Sequence, residues 1–165
     1  MRKALCVAVV VVLAWTSVAV AQEAVFRGLR WGDPLSLLGE VTQVAVEDTG
    51  IPGLAFWRKV NEDLVLGGVV PVESIGYGFL DGELAAIVIV GGDYKALSGI
   101  ARARYGRPTP AYSTADSEVY VMSESVCVVA RDGQGGLLML MSGPLFYAFQ
   151  NHEQWQIEEA AKEFQ

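Results

Sequence analysis

Reactive side chains are scarce in this chain. It has one histidine, His152, and two cysteines, Cys6 and Cys127. Cys6 lies in an N-terminal apolar run, so beyond that run one thiol remains and no internal disulfide forms. One histidine and one cysteine fall short of a zinc cage. The acidic pairs Glu47-Asp48, Glu62-Asp63 and Glu158-Glu159 are adjacent, so on a strand they point apart, and none has calcium-loop spacing. No G-x-S-x-G elbow or S-x-x-K pair occurs, which removes the usual serine hydrolases. Cys127 sits in an apolar strand pattern (SVCVVA), where a free cysteine acts as a small hydrophobe. A Cys127–His152 catalytic pair is the remaining enzymatic option. No catalytic residue, cofactor or metal is expected.

Positive charge is also short. The whole chain carries −7 at pH 7, from twelve basic and nineteen acidic residues. Loss of Arg2 and Lys3 with a leader leaves ten basic residues against nineteen acidic ones, a charge of −9. Such a surface repels phosphate backbones and argues against nucleic-acid binding. No basic amphipathic stretch suggests docking on anionic lipid.

Long apolar runs are limited to Ala4–Val20, which follows Arg2-Lys3 and ends in the small-residue triplet Ala19-Val20-Ala21. That is the anatomy of a secretory signal peptide, with cleavage expected near Ala21. Residues 22–165 then form a single domain in the periplasm or outside the cell, with no membrane span after cleavage.

The clearest structural signal is residues 72–108. Ile75, Tyr77 and Phe79 alternate with small or polar residues, as on a strand with one apolar face. Asp81-Gly82 is a two-residue hairpin signal, and Leu84–Val90 reads as the buried return strand. Asp93 caps a predicted helix over 94–105, with Tyr94, Leu97, Ile100, Ala101 and Tyr105 on one face. Arg102 and Arg104 complement the dipole of its last turn. Gly106 and Pro108 stop it. Gly76-Tyr77-Gly78, with Gly82, fails the G-x-G-x-x-G spacing and lies inside a strand, where glycine marks a bulge or a close backbone approach.

Ahead of this unit, Phe26–Trp31 reads as a short first strand. Asp33 as N-cap and Pro34 at the first helical position precede one helical turn at Leu35–Leu38. Val41–Val46 and Leu54–Val60 follow as strands separated by the turn-forming stretch 48–53, with Phe56 and Trp57 on opposite faces. Leu64–Val70 leads through Gly67-Gly68 into the central hairpin. After it come strands over Glu118–Met122, Ser125–Arg131 and Leu137–Met141, the last two joined by the Gly-rich loop 132–136. A C-terminal helix over 144–165 would place Phe146, Phe149, Ile157, Ala160 and Phe164 on one side. Strands outnumber helices and turns are tight, so the expected fold is α+β: a twisted antiparallel sheet of about six to eight strands with one amphipathic helix on a face.

Phe26-Arg27-Gly28-Leu29-Arg30-Trp31-Gly32 resembles the opening of small, uncharacterised secreted proteins of Gram-negative bacteria, which begin F-R-G-x-x-W/F-G after a signal peptide. GGVVPVESIGYGFLDGEL and Tyr105-Gly106-Arg107-Pro108 are similar to theirs as well. The strand-rich architecture also resembles envelope assembly modules of the SmpA/BamE kind, although their lipidated cysteine is absent. The resemblance implies periplasmic residence and protein binding.

Arginine and aromatic residues are typical anchors of binding surfaces. The candidates are Arg27, Arg30, Trp31, Trp57 and Arg58 in the early strands, and Phe146 and Phe149 in the last helix. The function expected is non-enzymatic: recognition of another envelope protein or peptide through a sheet edge, Trp31 or the C-terminal helix. The alternative is a small apolar ligand held between helix and sheet.

Overall fold

The computed structural model describes residues 23–45, 49–133 and 135–162, with side chains as far as His152. The expected signal peptide, Val46 to Asp48, Gln134 and the last three residues lie outside the described residues.

The fold is α+β and its strand pairings are antiparallel. The main sheet has seven strands, in the order β1 (Val41–Val44), β2 (Leu54–Lys59), β5 (Ser74–Leu80), β6 (Glu83–Val90), β9 (Gly135–Ser142), β8 (Ser125–Asp132) and β7 (Ser117–Val121). It is open, with β1 and β7 at its edges. A separate two-stranded ladder pairs β3 (Val65–Leu66) with β4 (Val70–Pro71).

The central hairpin forms because its turn chemistry and strand patterns agree. Asp81 and Gly82 both have positive φ, 52° and 87°, as the tight turn requires. Leu80 pairs with Glu83, and the ladder continues to Ser74–Val90 with a bulge at Gly78/Phe79. Helix α1 (Tyr94–Tyr105) follows, with Ala96 N–H donating to Asp93 Oδ2 at 3.3 Å. A cap of this kind contributes ~1 kcal/mol. Gly106, at φ 83°, ends the helix, its N–H donating to the Arg102 carbonyl at 2.9 Å.

Alternation along the strands sorts side chains onto two faces. One carries Ile75, Tyr77, Phe79, Ile87, Ile89, Cys127, Val129, Leu138 and Leu140, and packs against Leu97 and Ala101 of α1. The other carries Ala86 and Met141, and is covered by Leu145, Phe146 and Phe149 of α2 (Gly143–Lys162). Trp57 belongs to the first face and Phe56 to the second. The two helices therefore sandwich the sheet, and the C-terminal helix covers its own core with its first turns. The side chains of Ile157, Ala160 and Phe164 lie outside the described residues.

Two local expectations are corrected. Phe26–Trp31 is a tight reversal rather than a strand: Arg27 and Gly28 take φ 48° and 83°, and Leu29 N–H returns to the Phe26 carbonyl at 2.9 Å. Asp33 does not cap a helix. Its carboxylate accepts the Arg30 N–H at 2.8 Å, and the single 3-10 turn at Leu35–Leu38 starts from Pro34 without a side-chain cap. The lead-in to the hairpin at Leu64–Val70 carries β3 and the start of β4, joined by a turn in which Gly67 and Gly68 both adopt positive φ.

Candidate functional site

The sheet edges differ. At β7 the outer backbone groups are taken by residues 109–114. Thr109 N–H donates to the Val119 carbonyl at 2.7 Å, and Thr114 N–H donates to that of Ser117 at 2.8 Å. Val119 N–H donates to Ser113 Oγ at 3.0 Å, and Val121 N–H to Thr109 Oγ1 at 3.3 Å. At β1, Val60 N–H donates to the Glu40 carbonyl at 2.9 Å, which sets the alternation of the ladder. Thr42 and Val44 then bond inward to Arg58 and Phe56, and Val41 and Gln43 turn their amides outward. Among the described residues nothing pairs with that outer row.

Next to β1 lies a groove of about 330 Å³ on the α2 side of the sheet. Its floor is small because β5 places Gly76 and Ser74 there and β6 places Ala86, Val88 and Val90. Phe56, Met139, Leu145 and Phe149 form its walls, and Arg58 stands at the rim. Gly78, two residues on, has its open side filled by Phe56: a Cβ there would lie 2.8 Å from Phe56 Cε1. A Cβ at Gly76 would meet nothing closer than 3.8 Å. The G-Y-G spacing thus serves both a close side-chain approach and an opening.

On the α1 side the buried polar groups are paired. Glu118, only 8% exposed, accepts from Ser98 Oγ at 2.9 Å, from Tyr120 Oη at 2.5 Å and from the Arg102 guanidinium. Arg102, opposed by desolvation and helped by the two hydroxyls, holds the Glu118 carboxyl down at about 2. Burial, followed by the Glu62 bond, pushes the Tyr77 phenol up. Tyr77 donates to Glu62 at 2.9 Å, and Glu62 is also paired with Arg27.

The candidate anchors do not form one patch. Arg27 is committed to its own chain, through Glu62, the Val65 carbonyl at 3.2 Å and the face of Phe26. Arg30 is exposed in the turn before Asp33. Trp31 is half-buried against the α1-side core. The segment after it is tied to the start of β6, through Gly32 N–H to the Leu84 carbonyl at 3.0 Å and Leu84 N–H to that of Asp33 at 2.9 Å. Trp57 packs on the α1 side. Phe146 packs beside Ala148 and Leu145 in the α2-side cluster. Arg58 and Phe149 both line the groove. Sequence reading missed Gly76, Ala86, Val88 and Met139 as a site. The signal was there: two glycines on one face of a strand whose other face carries Ile75, Tyr77 and Phe79.

Cys127 and His152 are not neighbours. Cys127 is fully buried on the α1 side, where desolvation pushes its thiol up to about 12 and suppresses the reactive thiolate. His152 lies on α2 with its imidazole against Gly50. Among the described residues there is no group of three or more metal-ligating side chains, and no helix is long and apolar enough to cross a membrane. Comparison with family models, with curated proteins and with solved structures finds no match.

Proposed function

We propose that this is a non-catalytic, exported binding module that accepts an extended segment of another envelope protein on the β1 edge. The observation carrying the reading is the inequality of the edges. An unpaired strand edge is a template for another chain, and proteins that do not use an edge normally block it. Here β7 is blocked by four hydrogen bonds to residues 109–114, whereas Val41 and Gln43 present theirs outward. Export follows from the leader-like N-terminus, and an envelope partner fits the F-R-G-x-x-W-G resemblance.

The test uses proline at a position where only an outward donor is lost. Gln43→Pro leaves the inward bonds of Thr42 and Val44 to β2 in place. The mature protein, carrying a photocrosslinker at Thr42, is irradiated in envelope extract. The expected result is one discrete adduct that protects the Val41 and Gln43 amides from exchange and is lost in Gln43→Pro at unchanged melting temperature. No discrete adduct, or an adduct that persists in Gln43→Pro, overturns the reading.

A further inference from the structure

The groove beside β1 has a chemistry of its own, independent of strand addition. Its volume, about 330 Å³, lies at the low end for small-molecule sites. Its body is apolar: Phe56, Ala86, Val88, Val90, Met139, Leu145 and Phe149. One end is different. Arg58 lies one step beyond the Trp57–Tyr77 pair, opposite Gly76, and Ser74 follows at the next step on the same face. Among the described residues Arg58, like Arg30 and Arg107, has no ion pair, whereas Arg27, Arg102, Arg104 and Arg131 each have a carboxylate partner. In a chain with an excess of acids, one arginine left unpaired at the mouth of an apolar trough is complementary to a single negative charge carried on a hydrocarbon chain.

We infer that the groove binds a single-chain monocarboxylate amphiphile. Its carboxylate pairs with the Arg58 guanidinium beside the Ser74 hydroxyl, and its chain runs over Gly76 toward Ala86, Met139 and Leu145. Glycine at 76 makes this possible, since any side chain there would rise into the path of the tail. The volume suits one chain of medium length and excludes a two-chain lipid. Burial of each methylene contributes ~0.8 kcal/mol, so extending the ligand from octanoate to decanoate tightens binding by about fifteenfold.

The test follows the methyl resonances of 13C-methyl-methionine protein during titration with decanoate, decanol and decyltrimethylammonium below their micellar concentrations. Met139 lines the groove, and Met122 packs on the opposite side of the sheet as an internal control. The expected result is a saturable shift of Met139 but not of Met122, strongest for decanoate, weaker for decanol and least for the cation. Arg58→Gln should reduce decanoate to the level of decanol, a loss of up to about fivefold for an exposed charge. Gly76→Val should abolish the Met139 response to all three probes without lowering the melting temperature. Vesicles of phosphatidylglycerol, a two-chain source of the same charge, should give no shift. Equal responses to the three probes, a Met139 shift that survives Gly76→Val, or no shift at all would each overturn the inference.

Discussion

The two faces of β5 are built from the same seven residues to opposite ends. Toward α1 the strand presents Ile75, Tyr77 and Phe79, each at most 3% exposed, in one buried cluster with Leu97 and Ala101 of the helix. Toward α2 it presents Ser74, Gly76 and Gly78, and the space is shared between Phe56 and a groove. Side-chain period two lets one strand make a core on one side and an opening on the other without conflict. The face that α1 covers thus carries the larger buried cluster, and the α2 face carries the smaller one beside the groove.

Substitutions test this contrast most severely where the helix lies closest. Leu97 is fully buried under α1, and Leu97→Ala should cost ~2–5 kcal/mol in chemical denaturation. A loss below 1 kcal/mol would mean that the α1 side is not the tight one. Glycine substitutions grade the two faces next. A Cβ at Gly136 would come within 2.9 Å of Leu97 Cδ1 and 3.0 Å of Tyr94 Cα, so Gly136→Ala must push α1 off the sheet, at ~1–3 kcal/mol. Gly78→Ala meets Phe56 Cε1 at 2.8 Å and the backbone-fixed Ala86 Cβ at 2.9 Å, so its cost should be of the same order. Gly76→Ala should be neutral or slightly stabilising, because it fills open space and removes a glycine from a strand. If Gly76→Ala destabilises as much as Gly136→Ala, the contrast fails.

Acid should also distinguish the two sides. Glu118 has its carboxyl lowered from 4.5 to about 2, so the stabilisation from its bonds is present above pH 4.5. It is lost as the pH falls from there toward 2. Glu118→Gln should flatten the stability profile over that window. The same substitution leaves Ser98 and Tyr120 with an amide oxygen to donate to, which keeps the protein folded for the measurement. An unchanged acid limb would show that the Glu118 cluster does not couple folding to protonation.

Legibility in the sequence followed the range of the forces involved. The β5–β6 hairpin and α1 were readable because Asp81-Gly82, the Asp93 cap and the Gly106 stop act within a few residues. The opposite facing of Phe56 and Trp57 was readable from strand alternation alone. The reversal at Arg27-Gly28 was not, since a non-glycine residue at φ 48° there goes with long-range ties of Arg27 to Glu62 and the Val65 carbonyl. The break at Gly67-Gly68 was visible as two glycines, but nothing local said whether the strand bends or stops. Of the candidate anchors, Arg58 and Phe149 line one trough because β2 and α2, far apart in sequence, both border it. The groove itself depends on what is missing at Gly76, and a missing side chain becomes meaningful only when its neighbours across β6 and β9 are known.

The stopper that residues 109–114 form on β7 has a consequence for self-association. Two copies joined β1 to β1 about a two-fold axis would merge their sheets into one of double width, with both outer rims sealed. Assembly by pairing of the main sheet would therefore terminate at a pair, since among the described residues that sheet has no second open rim.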